Sequence, residues 1–134
     1  MWAESRARLA AALAAFVPAE VAVVDHPPET QAPPFVYLAP ARQGWRQGGL
    51  LVSWDVSLVI DGGLAPATRA VELDRLLDLV LAAAAEVSVL AEVTTAFGSQ
   101  LIGDIGHPRA TVTVPLFHAA CELPDAAPAL TVVR

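Results

Sequence analysis

The sequence contains no lysine and no asparagine, and it has one cysteine, Cys121, in 134 residues. A single cysteine cannot form an internal disulfide, so a disulfide-stapled secreted scaffold is excluded and a reducing compartment is expected. Charge is scarce as well. Only 16% of residues are charged, against roughly a quarter in ordinary domains, and all eight basic residues are arginines scattered along a chain of net charge −6. Nucleic-acid binders draw affinity from clustered basic side chains that displace counterions, and such a cluster is missing. The longest apolar run, from Leu76 to Ala91, is broken by Asp78 and Glu86, so a membrane span is not expected. Catalytic signatures are absent too: there is no nucleophile elbow, no phosphate loop and no dinucleotide fingerprint, and Gly103-x-x-Gly106 reads only as a turn.

What is present fits one α+β domain over residues 1–122, with a C-terminal tail over 123–134 that stays loose or docks on a neighbour. Arg6, Arg8 and the apolar run Leu9–Val17 imitate a secretory leader, but Glu4 and the helical spacing of Leu9, Leu13 and Phe16 favour a retained helix over about 3–16. Val21–Val24 reads as a first strand, ended by Asp25-His26-Pro27-Pro28, and Phe35–Leu38 as a second, stopped by Pro40. Residues 40–49, with three glycines, two arginines and Trp45, read as a loop. In the third strand, Val52, Trp54, Val56, Leu58 and Ile60 face one way, and Ser53, Asp55 and Ser57 the other. Its length, about 35 Å from Leu50 to Ile60, implies that it bends or that its hairpin extends as an arm.

Pro66 opens a second helix, on which Leu73, Leu76, Leu77, Val80, Leu81 and Ala84 form the core stripe while Leu79 lies off it. A fourth strand is expected over about 92–102, a turn over 103–108, and a short fifth strand, Thr111–Val114, confined by Pro115 to an edge or a bulge. The expected architecture is a mostly antiparallel sheet of about five strands, in the order helix, three strands, helix, two strands, with both helices packed against it.

Candidate chemistry is sparse. Asp104, His107, His118 and Cys121 are legitimate metal ligands, yet they lack the two close Cys/His pairs typical of zinc, so they read as loop histidines, a loop acid and a buried thiol. Asp74 and Asp78, one helical turn apart, read as a solvated face beside Arg75. No catalytic residue, cofactor or metal site is therefore assigned. The segment whose composition asks for a partner is Arg42, Gln43, Trp45 and Arg46, since Trp and Arg are enriched at interface hot spots; Leu79 joins it as a second contact candidate. Trp45 either contacts another chain or folds back as a lid on the core.

The N-terminal Leu/Ala helix, the Val-Val-Asp-His-Pro-Pro stretch leading to Pro-Pro-Phe-Val-Tyr-Leu, Trp54–Ile60, the helix Val71–Asp78 and the closing Ala-Thr-Val-Thr-Val strand together resemble the tail terminator (tail completion) proteins of long-tailed bacteriophages. The resemblance implies a hexameric ring of this chain that caps the tail tube and joins it to the head connector or stopper protein. It also implies a virion location at the head-proximal end of the tail, after synthesis in the host cytoplasm, with DNA passing through the lumen without specific binding. A head-completion or other neck protein, and a small-ligand-binding or enzymatic α+β domain, are the alternatives.

Overall fold

The computed structural model describes residues 2–24, 31–46, 48–88 and 93–119. Their order is α1 (Trp2–Phe16), β1 (Ala22–Val24), β2 (Phe35–Arg46), β3 (Gly49–Val59), α2 (Pro66–Val87), β4 (Thr94–Ile102) and β5 (Ile105–Ala119). The strands form one sheet in the order β1-β2-β3-β5-β4, antiparallel except for the β1–β2 pair. This is the α+β architecture expected from the sequence. His26 and the tail from residue 123 lie outside the described residues.

Both helices cover one face of the sheet. Leu9 and Leu13 from α1 and Leu76, Leu77, Val80, Ala83 and Ala84 from α2 meet Val36, Leu38, Val52, Val56, Leu58, Val112, Val114 and Leu116 in the main core. Trp54 is the largest of its fully buried side chains. Its indole Nε1–H donates to Ser5 Oγ at 2.8 Å, Trp2 packs edge-on at 5.0 Å between ring centroids, and the Arg6 guanidinium lies 5.2 Å above the ring. Ser5 thus gives a buried donor the partner it requires. Phe16, assigned to the α1 stripe from its spacing, is instead exposed, and Val17, just past the helix, is the buried residue.

The expected loop over residues 40–49 is largely strand. β2 continues through Pro40, because β1 pairs only with Phe35–Tyr37 and leaves the rest of β2 as a sheet edge, where a missing N–H breaks no ladder. Pro40 pairs with Trp54 and Arg42 with Ser53, so Ala41 is the extra residue of a β-bulge. Gly48, just before β3, is a turn residue with φ +88°.

The fifth strand is likewise longer than expected and lies inside the sheet. β5 pairs with β3 along Arg109–Ala119 and with β4 along Ile105–Thr113. Pro115 sits two residues beyond the end of the β4 pairing, which is how a proline is accommodated in an interior strand. Its carbonyl accepts from Ser88 Oγ at 2.6 Å. The expected turn over 103–108 shrinks to Gly103 and Asp104, with Gly103 at φ +62°. Because β5 accompanies β3 to Gly49↔Ala119, the β2–β3 hairpin is no free arm. Gly49 is required there by close approach, since a Cβ would collide with the His118 carbonyl oxygen.

The second face of the sheet is not simply solvated, as alternation alone suggested. Ser53 and Ser57 are buried, and Phe35, Tyr37 and Val59 form a small cluster with Ala22, Val24 and Ile102 against it. Tyr37 Oη donates to Gln100 Oε1 at 3.0 Å, although β2 and β4 stand three strand spacings apart, about 14 Å in a flat sheet. The sheet therefore curls towards this face. Thr113 Oγ1 donates to Asp55 Oδ1 at 2.8 Å, and the Ser57 and Thr111 hydroxyls share a hydrogen bond at 3.1 Å, closing the polar pairs between β3 and β5.

Candidate functional site at the β2–β3 end of the sheet

The bulge decides where the candidate contact residues point. Before it, even-numbered residues of β2 (Val36, Leu38) face the helices; after it, Gln43 and Trp45 share the side of Val52 and Leu50, while Arg42 and Gly44 share the side of Ser53 and Leu51. Arg46, two residues beyond Gly44, continues on that second side. Arg42, Gln43, Gly44, Arg46, Leu51 and Ser53 line an open cleft of about 160 Å³, room for one side chain or a few waters.

The cleft is basic on an acidic protein. Among the described residues neither Arg42 nor Arg46 is paired with a carboxylate; Arg46 Nη1 donates to the Trp45 carbonyl at 3.0 Å. Arg75, by contrast, forms an ion pair with Glu72 at 3.0 Å, and that hydrogen bond raises its pKa above the ordinary guanidinium value. Trp45 is 57% exposed, so it is no lid over the core.

Of the residues singled out in the sequence, Arg42 and Arg46 come together on the cleft side; Gln43 borders the cleft, but its register puts it on the side of Trp45. Leu79 does not join them: it is half-buried against the main core. Sequence reasoning missed Ser53 and Leu51, which reach the cleft only through the β2–β3 register. The suggested metal ligands are dispersed. His107 is buried and its Nδ1 accepts from the Gly62 N–H at 2.9 Å, whereas His118 lies eleven residues further along β5, about 36 Å away at strand rise. Cys121 lies outside the described residues. Asp74 and Asp78 are exposed on α2, and Arg75 pairs with Glu72 rather than with either of them. Among the described residues no helix is long and apolar enough to cross a membrane.

The fold and the site thus define an α+β domain with an exposed tryptophan and two arginines that no carboxylate of the described residues pairs, at one end of its sheet. No protein-family model matches the chain, and no curated protein matches its sequence.

Proposed function

We propose that the protein is a structural virion assembly component of the tail terminator kind. In this reading it acts without catalysis or cofactor, as a homo-hexameric ring that caps the tail tube and meets the head connector or stopper protein, with DNA passing through the lumen. The observation that carries the reading is the end of the β2–β3 hairpin: Trp45 exposed on one side of the strand, and on the other Arg42 and Arg46, without carboxylate partners among the described residues. Tryptophan and arginine are the side chains that most often anchor protein contacts. A ring needs two different patches on each subunit, and the acidic exposed side of α2, with Asp74, Asp78 and Glu86, is a chemically matched second patch. A terminator ring and a head-completion ring share this chemistry and differ in their neighbours.

The test is the mass of the protein by light scattering together with its ability to stop tail-tube growth in a polymerisation assay. A hexamer that caps tubes, and loses both properties in Trp45→Ala, is expected. A monomer that leaves tube growth unchanged overturns the reading. The cleft itself favours a second reading, a site for a small anion held by Arg42, Arg46 and Ser53. Calorimetric titration with inorganic phosphate and acetate distinguishes it: saturable binding abolished by Arg42→Ala supports the small-ligand domain, and absence of heat removes it.

A further inference from the structure

The last described strand delivers the chain beside the basic cleft. Paired residues share a face, so the register Leu51↔Phe117 and Gly49↔Ala119 puts the end of β5 on the face that carries the cleft. Gly49 pairs in turn with Arg46, which leaves Ala119 two strand spacings from Arg46, about 10 Å. Arg42 stands further back along β2 on the same side, about 13 Å from Arg46 at strand rise. Both arginines are exposed, and among the described residues no carboxylate pairs with either. Asp55, beyond Ser53 on the same face, accepts from Thr113 instead. Two neighbouring cations of a protein with net charge −6 thus face outward without an anion among the described residues.

The chain continues from Ala119 with Ala-Cys-Glu-Leu-Pro-Asp-Ala-Ala-Pro, a stretch that holds two acids, Glu122 and Asp125, and no base. We infer that this segment folds back over the cleft of its own chain, with Glu122 pairing with Arg46 and Asp125 with Arg42. Reach supports this pairing. Three residues span up to about 10 Å and six up to about 20 Å, against about 10 Å from Ala119 to Arg46 and about 17 Å from Ala119 to Arg42. Spacing supports it too. Leu123 precedes Pro124, which favours extended or polyproline II geometry for it. In polyproline II, residues three apart share a side and stand about 9 Å from each other. Glu122 and Asp125 then face the same way, and the long guanidinium arms close the difference from the arginine spacing. Tethering selects this occupant over a free anion, because a carboxylate on a linker of a few residues is present at an effective concentration in the millimolar range. In the ring reading a neighbour's acids would displace the segment, but the inference concerns a single chain and does not rest on that reading.

The experiment is disulfide trapping in the full chain. Gly44, between the two arginines on the cleft side, and Leu123, between the two acids, are replaced together (Gly44→Cys/Leu123→Cys) in a Cys121→Ser background. A side chain at 44 would lie 3.5 Å from Arg46 Nη1, an ordinary contact. Oxidation is followed by denaturing electrophoresis without reductant, with thermal melting as the control for folding. The expected result is a disulfide closed within one chain. It should form about tenfold more slowly once Arg42→Glu/Arg46→Glu is added, the scale of two exposed ion pairs lost. Adding Glu122→Arg/Asp125→Arg to those changes should restore the original rate. A rate that the arginine reversal leaves unaltered, or that the opposite swap fails to restore, overturns the inference. Disulfides that join two chains instead of closing within one assign the cleft to a neighbour's segment and overturn it as well. Trp45→Ala, which the ring reading expects to lower the mass, should leave the trapping rate unchanged, so loss of the ring and loss of this contact are read separately.

Discussion

Trp54 and Ser5 show how one hydrogen bond anchors α1 to the sheet. The indole N–H is fully buried and Ser5 Oγ is its partner, so Ser5→Ala leaves a donor without water or protein to accept it. Such a loss costs about 1–3 kcal/mol, and urea denaturation should show it as a lowered midpoint with an unchanged slope. In a Trp54→Phe background the same serine substitution should have a much smaller effect, because no donor is left to strand; additive losses would show that the bond contributes little. Gly49 depends on space instead. Any side chain there meets the β5 backbone at His118 and Ala119, and Gly49→Ala should cost about 1–3 kcal/mol in the same assay. Neither pairing partner could be named from the sequence, since Ser5 lies 49 residues from Trp54 and Gly49 meets residues about 70 positions away.

α2 was legible because its leucines recur at 3.6-residue spacing, and Leu76 is indeed fully buried. Leu76→Ala should destabilise the domain by about 2–5 kcal/mol, whereas a change at exposed Val71 on the same helix should stay within about 0.5 kcal/mol. β2 was only half legible. Glycine and proline density over residues 40–49 suggested a loop, yet the backbone there pairs residue by residue with β3 because Pro40 lies on an edge and Ala41 is absorbed by the bulge. Deleting Ala41 therefore restores regular pairing without moving any other β2 residue from its β3 partner. The deletion variant should melt cooperatively, while deletion of Val52, which shifts a central strand between two neighbours, should abolish folding as judged by circular dichroism. Pro115 misled for a related reason. A proline forbids a ladder partner on one side only, and β4 ends before it.

In the proposed ring, contact through the β2–β3 end of the sheet would draw on exposed charge and so depend on ionic strength. The screening length falls from about 10 Å at 0.1 M salt to about 3 Å at 1 M, and association measured by light scattering should weaken over that range. In an Arg42→Ala/Arg46→Ala double variant the residual association should no longer respond to salt. A parent protein insensitive to salt would remove the arginines from the contact. The curl of the sheet, seen in the Tyr37–Gln100 hydrogen bond, draws β2 and β4 towards each other on the face that carries the cleft.

The sequence by itself determined the class of the fold, the two helices, the buried stripe of β3, and the identity of Arg42, Gln43, Trp45 and Arg46 as unusual surface residues, because local periodicity and composition reflect burial within one element. Tertiary structure alone decided that residues 40–46 are strand, that Trp45 and the arginines emerge on opposite sides, that Leu79 rests on the core, and that β4 is the last of the described strands on its side of the sheet. Each of these depends on which strand lies alongside which, and in what register, and that pairing is set by contacts between residues far apart in the chain.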